Sequence, residues 1–210
     1  MNRTLIFILL TLSIHSYSQD EKSNEILQQL STNTKAYKNI DVDFDFKFEN
    51  ITQEISENQK GNIKINANKF RLELNQQIII SDDTTQWIYL KESNELQIME
   101  YDSLDDMISP NKLFTIYEEG YKNSYVELKN EANFTLHIID LFPIESNAFQ
   151  KIQLQINSEK IQLHNIILFD KNGGSFTYLI TKFTTDANLD DNLFKFKSED
   201  YPEIEIIDLR

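Results

Sequence analysis

A chain of 210 residues with 14 Phe and 9 Tyr but only 4 Gly and 3 Pro can build a packed core, and its 40% hydrophobic content excludes a disordered or linker-like polymer. A formal charge of −14 opposes binding to DNA, RNA or an anionic lipid surface, because the long-range field repels phosphate. The absence of cysteine excludes a thiol nucleophile, a disulfide framework and a diacylglycerol-modified cysteine.

Residues 1–18, MNRTLIFILLTLSIHSYS, read as a secretion signal. Arg3 supplies the basic start, Leu5 to Ile14 the apolar run, and Ser16-Tyr17-Ser18 the small residues a signal peptidase needs. The run is too short to span a bilayer as a helix. The expected product is a soluble exported chain cleaved near Ser18/Gln19, with residues 19–210 forming one domain; the periplasm as its compartment follows from the resemblance given below. An uncleaved single-pass anchor is the competing reading.

Residues 21–37 have helical spacing, with Ile26, Leu27 and Leu30, then Thr34, Ala36 and Tyr37, on one stripe. The period then switches to two. In VDFDFKF, Val42, Phe44, Phe46 and Phe48 point one way, while Asp43, Asp45 and Lys47 point the other. Further strand signals follow at 61–65, 70–74, 77–80, 86–90 and 95–98, separated by polar turns such as Ser81-Asp82-Asp83 and Lys91 to Asn94. This is the pattern of an antiparallel meander.

The meander breaks at Asp102. DSLDDMIS predicts one helical turn, and a second helix opens at Pro110, capped by Ser109 and ended by Gly120. Its apolar face is Leu113, Phe114, Ile116 and Tyr117. Strands resume at 125–128, 134–138, 151–156 and 161–166. Asn172-Gly173-Gly174 marks a hairpin turn before 176–183, and EIEIIDL could add a last strand.

About eleven one-sided strands must cover their oily face. The expected fold is mostly β with a helical lid (α+β), an incomplete, strongly curved antiparallel β-barrel, with a flat two-sheet sandwich as its rival. Periodicity alone does not separate a filled interior from a ligand cavity.

Catalytic signals are poor. His137 and His164 sit singly within strand patterns, far short of the three or four ligands a zinc site needs. No Gly-rich phosphate loop or G-x-S-x-G elbow occurs. The pairs Asp82-Asp83, Asp105-Asp106 and Asp190-Asp191 lack the alternating oxygen ligands of a calcium loop and read as solvated turns. No catalytic residue, cofactor or metal is expected. Arg71 stands between Phe70 and Leu72 and reads first as a surface arginine balancing Glu73, with a specific role as the sharper alternative.

The order of the segments resembles the LolA family of periplasmic outer-membrane lipoprotein carriers, in a Bacteroidetes-like form. The stretches that carry the resemblance are GNIKINANKFRLEL (61–74), IIISDDTTQWIYLKESNELQI (78–98), SPNKLFTIYEEGY (109–121), LHIIDLFP (136–143) and FDKNGGSFTYLITKF (169–183). The resemblance implies an apolar cavity for acyl chains under a helical lid, without catalysis or a cofactor. It implies as partners acylated lipoproteins, an inner-membrane ABC lipoprotein-release complex and an outer-membrane receptor or insertion factor; the chain itself is expected to be a monomer. A related periplasmic sensor of lipoprotein or lipid is the alternative function, and a secreted hydrolase on a β scaffold the one from a different class.

On period and apolar character, the cavity is expected from Phe44, Phe46, Phe48, Phe70, Leu72, Leu74, Ile78, Ile80, Trp87, Tyr89, Leu96 and Ile98. The lid is expected from Leu27, Leu30, Leu113, Phe114, Ile116 and Tyr117. A register slip would swap faces most easily around Leu74–Ile80, where apolar residues run consecutively. Relatives often carry a basic residue followed by proline before the Phe-Arg dipeptide. Here residues 66–69 are Asn-Ala-Asn-Lys, which leaves Lys69 and Arg71 as the nearby polar candidates.

Overall fold

The computed structural model describes residues 13–101, 110–145 and 148–210, with side chains from residue 20 onward. Most of the expected signal core and the expected helical turn at 102–109, with its Ser109 cap, lie outside the described residues.

Helix α1 (Ser13–Ala36) buries Ser23, Ile26, Leu27 and Leu30, which recur every three or four residues and so share one face. Ala36, expected on that stripe, is exposed. Twelve strands follow: β1 (Ile40–Asn50), β2 (Ile55–Asn66), β3 (Lys69–Leu74), β4 (Gln77–Ser81), β5 (Thr85–Leu90), β6 (Glu95–Glu100), β7 (Tyr121–Asn130), β8 (Thr135–Pro143), β9 (Phe149–Asn157), β10 (Gln162–Asp170), β11 (Gly174–Thr185) and β12 (Glu205–Asp208). The second helix expected at Pro110 is only a five-residue 3-10 helix, Pro110–Phe114; Ile116 and Tyr117 lie in the turns after it. Two more 3-10 turns, Asp191–Phe194 and Ser198–Asp200, shape the C-terminal segment.

All twelve strands form one sheet in the order β12-β6-β5-β4-β3-β2-β1-β11-β10-β9-β8-β7. Every neighbour pair is antiparallel except β12 with β6, which is parallel. Strand β1 is the seam: Ile40 to Asn50 pair with Ile65 to Ile55 of β2 on one side and with Thr185 to Gly174 of β11 on the other.

The sheet is open, which corrects the expected curved barrel of about eleven strands. The strands at its two ends are β12 and β7, and they do not pair with each other. Each end has another neighbour. The C-terminal segment lays β12 along β6, with Glu205 opposite Glu95 and Asp208 opposite Ile98. Helix α1 lies against β7. Ser23 donates to Asn123, Asn123 donates from Nδ2 to Asn24 Oδ1 at 2.8 Å, and the Lys22 ammonium sits 4.1 Å from the centre of the Tyr125 ring. An edge strand needs its unpaired backbone covered or blunted, and a helix or a short acidic strand does this as well as closure does.

Two apolar clusters result. The larger joins Ile26, Leu27 and Leu30 of α1 to Val42, Ile63, Phe70, Ile139, Leu154 and Ile166 on one face of the sheet, with Phe114 and Tyr117 beside them. The smaller lies on the opposite face of β4 to β6. It contains Ile78, Ile80, Tyr89 and Leu96, with Trp87 and Ile98 packed against it and Phe196, Tyr201 and Ile204 of the C-terminal segment as its cover.

Candidate functional site

Cross-strand register explains which side chains meet, since residues paired across a ladder share a face. One row runs Leu74–Gly61–Phe44–Ile180, the next Gln59–Phe46–Tyr178–Ile166, and the next Glu57–Phe48–Phe176–Leu168. These rows face the larger cluster, and above them a cavity of about 550 Å³ remains open. Its walls are Phe44 and Phe46 of β1, Ile63 of β2, Leu72 and Leu74 of β3, Ile166 and Leu168 of β10, and Phe176, Tyr178 and Ile180 of β11. Pro110, Leu113 and Phe114 of the 3-10 helix, with Ala148 and Phe149, complete it.

Glycine shapes the wall at one point. A Cβ on Gly61 would lie 2.4 Å from Phe44 Cζ and 2.9 Å from Leu74 Cδ2, so the bare backbone there lets the Phe44 ring lie across β2. The rings then form a continuous lining: Phe44 and Phe46 lie 5.8 and 5.1 Å from Tyr178, and Phe48 and Phe149 lie 4.8 and 6.1 Å from Phe176. At the hairpin end, Gly173 holds φ +84°, and Asp170 Oδ1 accepts the N–H groups of Asn172 and Gly174, each at 2.7 Å. Burial pushes the Tyr178 phenol up to about 12, so it stays a neutral hydroxyl at any working pH.

The expected cavity residues divide between the two faces. Phe44, Phe46, Leu72 and Leu74 line the cavity. Phe48 stands in the outermost row against Phe176, and Phe70 is fully buried under Tyr101, at 6.1 Å between rings. Ile78, Ile80, Trp87, Tyr89, Leu96 and Ile98 are on the opposite face, under the C-terminal segment. The register gives the reason. Leu72 pairs with Ile79, so Ile78 pairs with Glu73 and Ile80 with Arg71, on the reverse side. In a run of three isoleucines the choice of face is invisible to an apolar count. The pairings Ile78 with Tyr89 and Tyr89 with Leu96 carry the same side on through β5 and β6.

Of the expected lid residues, Leu113 and Phe114 line the cavity. Leu27, Leu30, Ile116 and Tyr117 are buried in the larger cluster, with the Tyr117 hydroxyl 3.3 Å from Thr34 Oγ1 on α1. Sequence reasoning missed Ile63, Ile166, Leu168, Phe149, Tyr178 and Ile180. The alternation Phe176, Tyr178, Ile180 was a usable signal for the last of these.

Lys69 and Arg71 face the other way. Lys69 Nζ lies 3.4 Å from Asp191 Oδ1. Arg71 Nε donates to Glu73 Oε1 at 2.6 Å, and Nη1 donates to the Leu193 carbonyl at 3.4 Å. Both tie the C-terminal segment to β3, and Arg71 lines a polar hollow of about 340 Å³ with Asn192, Lys195 and Asp200. Residues 66–69 form a tight turn in which Ala67 has φ 53° and the Asn68 carbonyl accepts from Asn111 Nδ2 at 3.4 Å.

Asp105-Asp106 lies outside the described residues; the other polar candidates are engaged in structure. Asp82 Oδ1 accepts from the backbone of Thr84 and Thr85 and from the Thr84 hydroxyl. Burial would raise its carboxyl, but those hydrogen bonds win and hold it below its ordinary value. His137 Nδ1 is 3.1 Å from the Tyr125 hydroxyl; burial, then the Lys22 charge, lowers its pKa. His164 lies against Phe134, and burial lowers its pKa despite Glu131. Among the described residues no group of three His, Cys, Asp or Glu could hold a metal ion.

Comparison with known proteins gives one family. The model of the family described as outer membrane lipoprotein carrier protein LolA matches residues 35–197. No curated protein sequence matches the chain. Among solved structures, an uncharacterized conserved protein from Thermus thermophilus is similar at TM-score 0.59 and 13% identity, over 89% of this chain and 99% of that one. A putative outer membrane lipoprotein-sorting protein domain from Vibrio parahaemolyticus gives 0.50 and 12%, over 84% and 97%. LprF from Mycobacterium bovis gives 0.50 and 8%, over 82% and 98%. At these identities the likeness is one of fold.

Proposed function

The chain belongs to the LolA family of outer membrane lipoprotein carrier proteins, and on that premise we propose that it carries lipoproteins across the periplasm by sheltering their acyl chains. Members of this family are carriers rather than enzymes. The observation that carries the reading is the cavity of about 550 Å³ with its wall of Phe, Leu, Ile and Tyr side chains. Each methylene withdrawn from water is worth roughly 0.8 kcal/mol, so an acyl chain in that space gains strongly over one left in solvent.

In this reading the chain of the cargo lies against Phe44, Phe46, Leu72 and Leu74, with Leu113 and Phe114 above it. The short 3-10 helix is the movable cover. Its five residues hold few of the backbone hydrogen bonds that make a long helix stiff, and shifting it leaves every ladder of the sheet intact. Cargo comes from an inner-membrane ABC release complex and goes to an outer-membrane receptor or insertion factor. Cleavage near Ser18/Gln19 would leave the described buried stripe of α1, Ser23 to Leu30, within the mature chain.

The test is transfer into solution. Spheroplasts making a triacylated lipoprotein are incubated with the purified protein, and the soluble fraction is assayed for a one-to-one complex. The complex is expected with acylated cargo and not with its unacylated form. No soluble complex, with energy and release machinery present, would overturn the proposal.

A further inference from the structure

Arg71 belongs to a second hollow, on the side of the sheet opposite the apolar cavity. It pairs with Ile80 of the filled cluster, so both project to the reverse face. There Arg71, Lys195, Lys197, Phe196 and Tyr201 surround a space of about 340 Å³. The guanidinium is only 18% exposed and is held from two sides, by Glu73 Oε1 at 2.6 Å and by the Leu193 carbonyl at 3.4 Å. Those bonds engage two of its five N–H donors and leave three without a protein acceptor among the described residues. Lys195 and Lys197 have extended backbones, at φ −130° and −112°, on either side of Phe196. The alternation sets Phe196 against Tyr89, 5.6 Å between rings, and leaves both ammonium groups at the rim of the hollow. Neither lysine forms an ion pair among the described residues, although the Lys195 charge acts on Asp82. Of the carboxylates at the hollow, Glu73 is committed to Arg71, and Asp190 Oδ1 accepts from the backbone and side chain of Asn192, both at 2.9 Å. Asp200 remains. The uncommitted charges are therefore two cations to one anion, in a chain where acids outnumber bases 34 to 20.

We propose that this hollow binds a small phosphate monoester, with the phosphate against Arg71, Lys195 and Lys197 and the organic part against Phe196 and Tyr201. The site is independent of the carrier reading. Charge selects the anion. A monoester brings about −1.5 to −2 charge and three strong acceptor oxygens at neutral pH, one for each cationic group, whereas a carboxylate brings a single charge and two oxygens. The guanidinium, already oriented by Glu73 and Leu193, presents its remaining donors without further ordering. Size limits the rest. At about 30 Å³ for a water-sized group, 340 Å³ holds about eleven non-hydrogen atoms, the size of a phosphate on a six-membered ring. Phe196 and Tyr201, stacked at 4.8 Å, give that ring an aromatic wall. Arg71 stands on β3, and the lysines and rings stand on the C-terminal segment. A ligand touching both fastens the segment to the sheet, because it binds only the docked arrangement. The overall charge of −14 works against any anion at long range, so binding should tighten as salt is added to screen that field, up to the point where salt screens the local contacts too.

The experiment is calorimetric titration of the purified protein with phenyl phosphate, phenylacetate and inorganic phosphate at fixed ionic strength, with trypsin cleavage as the report of place. Phenyl phosphate is expected to bind about tenfold more tightly than phenylacetate or inorganic phosphate. It should slow cleavage after Lys195 and Lys197 and leave cleavage after Lys160, in the β9–β10 turn, unchanged. The double variant Lys195→Gln, Lys197→Gln alters two exposed side chains and should fold normally while losing about tenfold or more in affinity. Arg71→Lys keeps the charge but not the planar fork and should lose about fivefold. Lys160→Gln should change nothing. Equal binding of phenylacetate and phenyl phosphate, inorganic phosphate binding as tightly as the ester, or full affinity in the double variant would overturn the proposal. So would binding to phosphatidylcholine vesicles containing phosphatidic acid, which would place the phosphate on a lipid surface instead of a small molecule.

Discussion

Both faces of this sheet carry large apolar side chains, but among the described residues the cavity with an apolar wall lies on the β1–β11 face. On the β4–β6 face, Tyr89 is covered by Tyr201 at 4.4 Å and by Phe196 at 5.6 Å, and those two rings stack on each other at 4.8 Å. On the β1–β11 face, the aromatic rows are covered by a five-residue 3-10 helix and by Phe149, and a space of about 550 Å³ stays open. An oily face is thus not itself a binding site. What decides is whether the space above the face is filled by side chains, and the C-terminal segment fills it over β4 to β6.

The largest effect that separates the faces is expected on the filled side. Tyr89→Ala should cost about 3 kcal/mol of stability, because it removes a buried ring between Tyr201 and Phe196. Its affinity for an acyl chain should stay within about twofold once folded, since the cavity lies across the sheet. Urea unfolding and displacement of a bound apolar dye on the same sample check both halves. Leu72→Trp should do the reverse. An added ring at the cavity wall should weaken acyl binding by about tenfold or more, with stability changed by only about 1 kcal/mol, because the space to receive it exists. If both properties fell together in both variants, the two faces would not be independent.

Smaller changes sharpen the same contrast. Gly61→Ala forces the Phe44 ring away from a Cβ that would otherwise sit 2.4 Å from it, and the open side of that ring is the cavity. A cost of about 1 kcal/mol with a measurable loss of dye binding is expected. Arg71→Ala removes a partly exposed pair and one contact to the Leu193 carbonyl. The global effect should be about 0.5 kcal/mol, but limited proteolysis should speed up around residues 190–200 while acyl binding is unchanged.

The smallest effect is that of pH at His137 of β8, which contacts Tyr125 of β7. His137 has a folded pKa below its unfolded value of about 6.5. The unfolded chain therefore takes up the proton first. Stability is intact above about pH 6.5 and declines as pH falls below it, toward the lowered folded value. His137→Gln should lessen that decline in thermal melts taken between about pH 7.5 and 5, leaving the part that His164, its pKa likewise lowered, contributes.

The legibility of the sequence follows the same division. Strand β1 was readable because Phe44, Phe46 and Phe48 alternate with Asp43, Asp45 and Lys47, and charge marks the wet side without ambiguity. Strand β4 was not, because Ile78, Ile79 and Ile80 offer an apolar residue to each face and the deciding information lies in the pairing of Leu72 with Ile79. The need for a cover on the second face was hidden as well. Phe196, Tyr201 and Ile204 stand in an acidic tail whose apolar residues have no regular period. The open sheet was equally out of reach of local pattern. Whether the ends of a sheet meet depends on what else reaches them, here β12 along β6 and α1 against β7.

Trp87 makes the central claim directly measurable, since it is the chain's one tryptophan and lies in the filled cluster. A lipopeptide whose acyl chain carries bromine atoms quenches tryptophan only at close contact. With the unaltered protein, saturation by this ligand should leave Trp87 emission nearly unchanged. In a Phe46→Trp, Trp87→Phe variant, whose single tryptophan stands in the cavity wall, the same ligand should quench most of the signal. Strong quenching of Trp87, with none at position 46, would place the chain on the other face and contradict the account.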